Sequence, residues 1–241
     1  MNILKNIIYS GLQEAFPYHQ KRGIIIANNV SLLLCIIIVG LFYIRFVPFL
    51  EVSKIISWED ALMGLVAFSL PIVMNKLSWT TWSRIYLCLG SMGFVWYLHV
   101  SRMIEVNVVQ TSLYGSLTMC LLALSAMPFL LFDKNRSPIL LSLVVVTLLS
   151  YWYFEDILGL FGVSHAQKGI PGGDYLLLKL RTFIAYLIIG GGSYIFQRII
   201  NQSDDVNQKI LAKLKIKTHE IEMRNEELTK TQDSLNEINQ N

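Results

Sequence analysis

Charged side chains are scarce in this chain. Asp, Glu, Lys and Arg together supply 15% of the 241 residues, whereas 54% are hydrophobic. The last 43 residues, after Arg198, hold 14 of the 37 charged side chains, so that the region before them is too apolar for a water-soluble domain. The net charge of +3 is too small to favour nucleic acid, and the chain has neither a glycine-rich phosphate loop nor a basic patch with interleaved aromatics. We therefore predict an integral membrane protein that binds membrane lipid and no nucleic acid.

The residue patterns of catalytic and metal sites are also missing. The three cysteines, Cys35, Cys88 and Cys120, fall inside apolar runs without a CxxC pair, which is typical of small lipid-facing or packing residues. His165 lies in a glycine-rich loop with no second His or Cys at metal-ligand spacing. The polar tail shows no carboxylate pair and no nucleophile with a base in the pattern of a catalytic centre. We expect no catalytic centre, cofactor or metal in this chain.

Long apolar runs dominate the first 200 residues. The runs are long enough for a hydrocarbon layer of about 30 Å, and they predict six transmembrane helices at 24–47, 61–77, 86–104, 112–132, 137–154 and 176–200. Arg84 and Arg102 bracket the third span, where both side chains are expected to reach the interfaces. No cleavage-type ending follows the first run before Arg45, so this span should remain in the mature protein. The predicted fold is all-α and polytopic, with a six-helix transmembrane domain over residues 23–200.

The N-terminal residues 1–22 form a separate predicted element. Apolar side chains recur there at helical spacing, which predicts a short amphipathic helix in the membrane interface that ends at Pro17. The chain supplies these positions as Leu4, Ile7, Ile8, Leu12, Ala15 and Phe16.

Basic residues orient the predicted bundle. Six spans place both termini on one side, and the Lys and Arg counts of the two sides are nearly equal before the tail. Five basic residues follow the last span closely and assign that side to the cytoplasm. They are Arg198, Lys209, Lys213, Lys215 and Lys217. We predict a multi-pass protein of the cell's inner membrane with both termini in the cytoplasm.

Residues 201–241 have a heptad repeat. One seam position recurs every seven residues, as in a left-handed coiled coil, at Asn207, Leu214, Ile221, Leu228 and Leu235. The second seam position is poorer because it includes Lys217, Arg224 and Thr231. At about 1 kcal/mol or less per imperfect layer, the predicted homodimeric coil is weak and needs support from the segments fused to it. The alternative is a solvated single helix. We also expect the chain to continue past Asn241 into an output domain.

The third span carries the first part of a candidate ligand site. Trp96, His99 and Arg102 lie three residues apart and share a helix face, with Tyr97 beside them. His and Arg could bind the polar head of a small hydrophobic or amphipathic ligand while the aromatic rings cover its apolar part. The alternative is that these residues anchor the helix at the membrane boundary.

The fifth and sixth spans supply the rest of the candidate site. Trp152 and Asp156 end the fifth span, and Lys179 and Arg181 begin the sixth. A ligand bound to these two cations would act directly on the helix that enters the tail. The alternatives are snorkelling of the cations to the interface and ion pairs that join them, or the arginine of the third span, to Glu155 and Asp156.

Three asparagines fall within predicted spans. Asn28 and Asn29 lie in the first and Asn75 in the second. Because an amide in an apolar layer needs a hydrogen-bond partner, we expect hydrogen bonds between helices.

The tail resembles a known kind of linker. Its run His219–Leu228, HEIEMRNEEL, with Thr229–Asn239 after it, is similar to the linker coils of bacterial sensor histidine kinases. The six-span plan with short loops and an aromatic third span is similar to receptor kinases for small hydrophobic autoinducers, and it also resembles the membrane anchors of class III nucleotide cyclases. The resemblance implies a dimeric input region that precedes a kinase domain. His219 lacks the proline and apolar run of a phosphoacceptor box, so we do not expect it to be phosphorylated.

These observations lead to a transmembrane input module that binds a small hydrophobic or amphipathic signal and transmits it through the sixth helix and the coiled coil. The expected output is a histidine kinase. One alternative is the membrane anchor or receptor of a nucleotide cyclase. Another is a channel or membrane effector whose oligomer is set by the coil, although no span shows the repeated polar residues of a conducting path. A transporter is disfavoured because no inverted repeat is evident.

Overall fold

In the computed structural model, every regular element of the described residues is a helix. The described residues are 2–13, 16, 18–44, 57–105, 111–132, 137–169 and 172–240, and no strand occurs among them. Their helices are α1 Asn2–Ile8, α2 Tyr18–Ile44, α3 Trp58–Lys76, α4 Thr80–Glu105, α5 Thr111–Leu124, α6 Met127–Leu131, α7 Ser137–Trp152, α8 Phe154–Leu160 and α9 Gly172–Gln240. The predicted all-α class is confirmed. The predicted helix end at Pro17 and the last residues of the first predicted span, 45–47, lie outside the described residues.

The chain divides into two compact units. The first is Met1–Tyr194, which we call the bundle, and the second is Ile195–Asn241, which we call the stalk. Helix α9 begins in the bundle and supplies the whole described part of the stalk.

Two buried asparagines join α1, α2 and α3. The side-chain nitrogen of Asn28 donates to the carbonyl oxygens of Ile8 and Ser10, both at 3.0 Å, and the side-chain nitrogen of Asn75 donates to Asn28 Oδ1 at 2.7 Å. Gly11 (φ +81°) lies so close that a Cβ there would be 2.1 Å from the Asn75 carbonyl oxygen. The expected hydrogen bond between helices is confirmed for Asn28 and Asn75. Asn29 instead bonds to the carbonyl oxygen of Ile25 in its own helix.

The N-terminal helix is shorter than predicted. Helix α1 ends at Ile8, and Gly11 then takes a backbone conformation with positive φ that directs the chain back towards α2. Helix α2 begins at Tyr18, before the predicted start of the first span. A pattern of apolar positions does not detect such a turn because the spacing continues across it.

Local capping explains the start of α3. Ser57 Oγ accepts from the backbone nitrogen of Asp60, and the Asp60 carboxylate accepts from the backbone nitrogen of Ser57, which is a capping box. The helix continues through Pro71, whose carbonyl oxygen accepts a 2.8 Å hydrogen bond from Ser83 Oγ of α4. This bond holds the α3–α4 hairpin together near its turn.

Arg84 lies inside the bundle rather than at its edge. Its side chain is 3% exposed, and its Nε and one terminal nitrogen donate to the carbonyl oxygens of Thr80 and Leu131. The guanidinium carbon is 5.3 Å from the centroid of the Phe132 ring. Gly23 provides the space, since a Cβ there would be 2.5 Å from the guanidinium. The expectation that Arg84 reaches the interface is wrong because the protein supplies carbonyl acceptors in the interior.

The largest apolar cluster joins the second half of the bundle. Tyr186 of α9 packs against Tyr151 of α7, with 6.0 Å between the centroids of the two tilted rings, and its hydroxyl donates to the carbonyl oxygen of Val144. The other buried members are Val100, Met103, Tyr114, Leu117, Leu121, Leu122, Phe154, Leu158 and Val163. The bundle part of α9 is thereby packed against the core.

The bundle has apolar side chains outside and many polar side chains inside. Large apolar residues such as Val66, Met119 and Ile188 are exposed, and Met119 reaches 69%. Several serines, threonines and asparagines are buried, among them Ser83 and Asn28 at 0% exposure. Because such a surface is unfavourable in water and favourable in hydrocarbon, this distribution is compatible with a membrane protein.

The described helices provide fewer candidate spans than the sequence predicts. Three segments are long and apolar enough to cross a membrane, Gln20–Tyr43, Leu113–Leu131 and Lys179–Gln232. A fourth is obtained if Pro138–Trp152 and Phe154–Leu160, which bend by 68°, count as one span. The predicted count of six is therefore corrected to three or four.

Polar residues account for the difference. The second and third predicted spans are helical, as α3 and α4, but Glu59, Asp60 and Lys76 occupy the ends of α3, which has only 19 residues. Arg84, His99 and Arg102 similarly lower the mean hydropathy of α4.

We predict that Asn28→Ala destabilises the bundle by about 1–3 kcal/mol, because buried carbonyl groups and the Asn75 amide then lose their partner. Asn29→Ala is the matched control, since Asn29 is exposed and bonds only within its own helix. Its effect should stay within about 0.5 kcal/mol. Unfolding in detergent micelles, followed by circular dichroism, measures both variants, and equal losses would contradict the proposed role of Asn28.

Candidate functional site

Trp96 and His99 share a face of α4, as predicted, but both are engaged within the protein. Trp96 Nε1 donates to Ser150 Oγ of α7 at 3.1 Å, and its ring lies 5.3 Å from that of Phe154. His99 Nδ1 is 2.9 Å from the Val95 carbonyl oxygen, and its Nε2 is 3.2 Å from Ser116 Oγ of α5. These contacts fix α4 against its neighbours and leave no open polar atom for a ligand head on either ring.

Tyr97 lies on another side of the same helix. Neighbouring helical residues differ by about 100° in direction, and Tyr97 accordingly donates to Asp60 Oδ1 of α3 at 3.2 Å and is 47% exposed. Arg102 is partly exposed, and it forms no ion pair with another described residue. The four predicted residues of α4 therefore do not form one pocket.

Trp152 and Lys179 do come together. Lys179 Nζ lies 5.4 Å from the centroid of the Trp152 ring, and Phe183 contacts the same ring edge-on at 6.1 Å. A cation–π contact at an exposed position is worth about 0.5–1 kcal/mol. Asp156 and Arg181 are exposed, and neither forms an ion pair within the described part of the chain.

Glu155 has a partner that the sequence did not indicate. Its Oε1 accepts from the backbone nitrogen of His165 at 2.6 Å, and its Oε2 lies 2.9 Å from His165 Nδ1. The expected pairing of Glu155 with a lysine or arginine is therefore wrong. Because a carboxylate can accept from two donors at once, one side chain fixes both the backbone and the ring of a loop residue.

The buried loop residue His165 completes a clamp between α5 and α8. His165 is 3% exposed, and its ring centroid lies 3.7 Å from that of Tyr114 in α5. The Tyr114 hydroxyl donates to the Val163 carbonyl oxygen at 2.6 Å. We call Glu155, His165 and Tyr114 the loop clamp.

The local sequence explains how the loop reaches this position. Gly162 and Gly169 have positive φ and allow sharp turns at both ends. Between them, Gln167 Oε1 accepts from the backbone nitrogen and the hydroxyl of Ser164. No group of three or more His, Cys, Asp and Glu residues in the described chain could hold a metal ion. Both carboxylate oxygens of Glu155 are already engaged, so the loop clamp acts as a structural tie.

The sequence contained only a weak signal for the clamp. A glutamate, and a histidine ten residues further on across a glycine-rich loop, have many possible partners, and metal-ligand spacing was the wrong criterion to apply to His165. Only the fold brings Tyr114, which lies far away in sequence, onto the ring.

Comparisons of the chain with models of protein families, with curated proteins and with solved structures gave no match.

We predict that Glu155→Gln lowers the stability of the bundle by about 1–3 kcal/mol, because one of the two His165 donors loses its acceptor. Asp156→Asn removes the same charge from the adjacent exposed residue and should have almost no effect. Thermal unfolding in micelles and limited proteolysis of the loop at 161–169 compare the two variants. A loss in Asp156→Asn as large as that in Glu155→Gln would contradict the clamp.

Proposed function

We propose that this chain is a membrane-embedded input module, which senses a small hydrophobic or amphipathic molecule in its bundle and transmits the signal along α9. The observation that supports this most is the extent of α9. One helix, Gly172–Gln240, carries Tyr186, which is packed in the bundle core, and also the heptad row of the stalk. Helical structure continues through residues 201–205, where a break would separate input from output.

The membrane location rests on the surface of the bundle. Exposed apolar side chains occur on α2, α3, α4, α5, α7 and α9. We propose that the segments that are long and apolar enough cross the inner membrane. Helices α3 and α4 lie beside them, with Asn75 and Arg84 buried in the interior and with Glu59 and Lys76 exposed at the two ends of α3. With the bent pair counted as one span, four spans place both termini on one side of the membrane. The basic residues that lie on α9 close to its apolar part assign that side to the cytoplasm.

The stalk supports a homodimer. Leu214, Ile221 and Leu228 of the heptad row are all at least half exposed in the single chain, whereas the side chain of Leu235 lies outside the described part. A second copy would bury this row, and the amide of Asn207 would favour one register. Lys217 and Arg224 keep the coiled-coil dimer only marginally stable. Two arrangements of the dimer can therefore differ in free energy by only a few kcal/mol.

A marginal coil suits signal transmission. A ligand shifts such an equilibrium only by its difference in affinity for the two states, and a complete switch from 1:99 to 99:1 needs about 5.5 kcal/mol. We propose rotation or a register shift of α9 as the movement and a histidine kinase as the output. An anchor of a nucleotide cyclase would use the same helix and differ only in the domain that follows.

We predict that Lys217→Leu/Arg224→Leu strengthens the dimer at least about tenfold, because two polar layers become apolar. Lys215→Leu/Glu222→Leu is the control, since it adds two leucines at positions away from the seam. Sedimentation in detergent micelles gives the dimerisation constants. If the seam variant matches the control, the row does not form a coiled coil and the proposed relay has no dimeric output.

We also predict a cytoplasmic C-terminus. A green fluorescent protein fused after Asn241 should fluoresce in bacterial cells, whereas alkaline phosphatase at the same position should stay inactive, because it folds only outside the cytoplasm. The opposite result would overturn the proposed orientation without affecting the dimer.

A further inference from the structure

The exposed side of α3 carries an apolar groove that no part of the proposed relay uses. Its volume is about 420 Å³, and its sides are formed by Leu62, Met63, Val66, Ala67 and Leu70 of α3 with Tyr86 of α4. These α3 residues recur at helical spacing along one face. From Trp58 to Leu70 the groove runs about 18 Å at 1.5 Å per residue, slightly more than half of a hydrocarbon layer of about 30 Å. One acyl chain from one leaflet fits these dimensions.

One end of the groove is acidic and aromatic. Trp58, which is 62% exposed, and Glu59 line this end. Asp60 follows Glu59 in the chain, and its carboxylate accepts a hydrogen bond from the Tyr97 hydroxyl at 3.2 Å. Within the described chain, neither of these two carboxylates forms an ion pair with a lysine or an arginine. The groove therefore ends in negative charge that the described residues do not neutralise.

Charge and shape together specify the occupant. A cationic head can approach the carboxylates and the face of an exposed tryptophan, which is how proteins hold ammonium groups. The attached chain then lies along the apolar residues of α3 and replaces membrane lipid there. Anionic amphiphiles are repelled by the carboxylates, and neutral ones gain nothing from them.

We propose that this groove binds one single-chain amphiphile with a cationic head, such as a long-chain alkylamine or alkylammonium. The proposal deepens the proposed function, on which it rests for the membrane location, and it places signal binding between α3 and α4 instead of around His99. Binding would reach the core through α4, because Tyr97 bonds to Asp60, the chain neighbour of the groove residue Glu59, while the adjacent Trp96 packs on Phe154.

The test measures binding of radiolabelled dodecyltrimethylammonium, below its micelle concentration, to the full chain in phosphatidylcholine nanodiscs. Empty nanodiscs correct for partition into lipid. We expect saturable binding to one site per chain. Dodecyl maltoside, which is neutral, should compete at least about tenfold less well than unlabelled probe.

Two variants locate the site. Ala67→Phe fills the groove and should abolish saturable binding, whereas Ala123→Phe makes the same change at an exposed position of α5 and should leave it intact. Glu59→Gln should weaken binding about tenfold and preserve the fold, and Glu220→Gln in the stalk should have no effect. Circular dichroism and size-exclusion chromatography confirm that each variant is folded.

Four results would overturn the proposal. Three of them identify the groove as ordinary lipid-facing surface, and they are binding no greater than in empty nanodiscs, equal losses in Ala67→Phe and Ala123→Phe, and equal competition by neutral and cationic amphiphiles. The fourth is efficient disulfide formation between copies carrying Val66→Cys, which would assign the groove to self-association instead. None of these readouts depends on the stalk, so a failure here is distinguishable from failure of the coiled-coil relay.

Discussion

The bundle depends on one constraint, which is that a polar group enclosed by apolar side chains must find its hydrogen-bond partner within the protein. Asn28 meets it by binding the carbonyl groups that follow α1, and Ser83 meets it by binding the carbonyl of Pro71. Glu155 and His165 meet it together at the loop before α9. Each of these contacts joins elements that apolar packing alone could leave in several registers. A few polar contacts thus specify how the helices of the bundle are arranged. The apolar surface of the bundle makes hydrocarbon a more favourable environment for it than water.

The same constraint explains why the described part of α9 changes character along its length. Residues of α9 in the bundle, such as Tyr186, contact a core and use their polar atoms inside it. In the stalk, Thr218, Thr229 and Thr231 satisfy their hydroxyls on carbonyls one turn earlier in the same helix. Because these three hydroxyls need no partner outside the helix, they do not tie the apolar row to one partner. The proposed relay requires this freedom of a stalk.

The positions of the helices were the most predictable feature of the fold. Whether each helix faces lipid or the protein interior was the least predictable. The apolar runs predicted the positions of α2 to α5 and α7, because the period and the length of such a run are properties of one continuous stretch of sequence. The number of spans was overestimated because α3 and α4 contain enough polar residues to lower their hydropathy, and their contacts inside the bundle cannot be derived from a single run. Arg84 illustrates this point, since its carbonyl acceptor on Leu131 lies far along the chain. The bonding of Asn28 to Asn75 was predictable in kind, because an amide in an apolar layer needs a partner, but the turn at Gly11 that it holds was not.

The candidate site was harder to predict because neighbours in sequence point in different directions on a helix. Trp96 faces α7 and α8 while Tyr97 faces α3, so four aromatic and polar residues on one helix were divided between a packed interior and an exposed edge. This division places α4 between the groove and the largest apolar cluster of the bundle. A change in the contact between Tyr97 and Asp60 shifts the helix segment that also carries Trp96, and Trp96 is bonded to the helix that packs on Tyr186 through Tyr151. The path from an occupied groove to α9 therefore needs only contacts already present in the bundle.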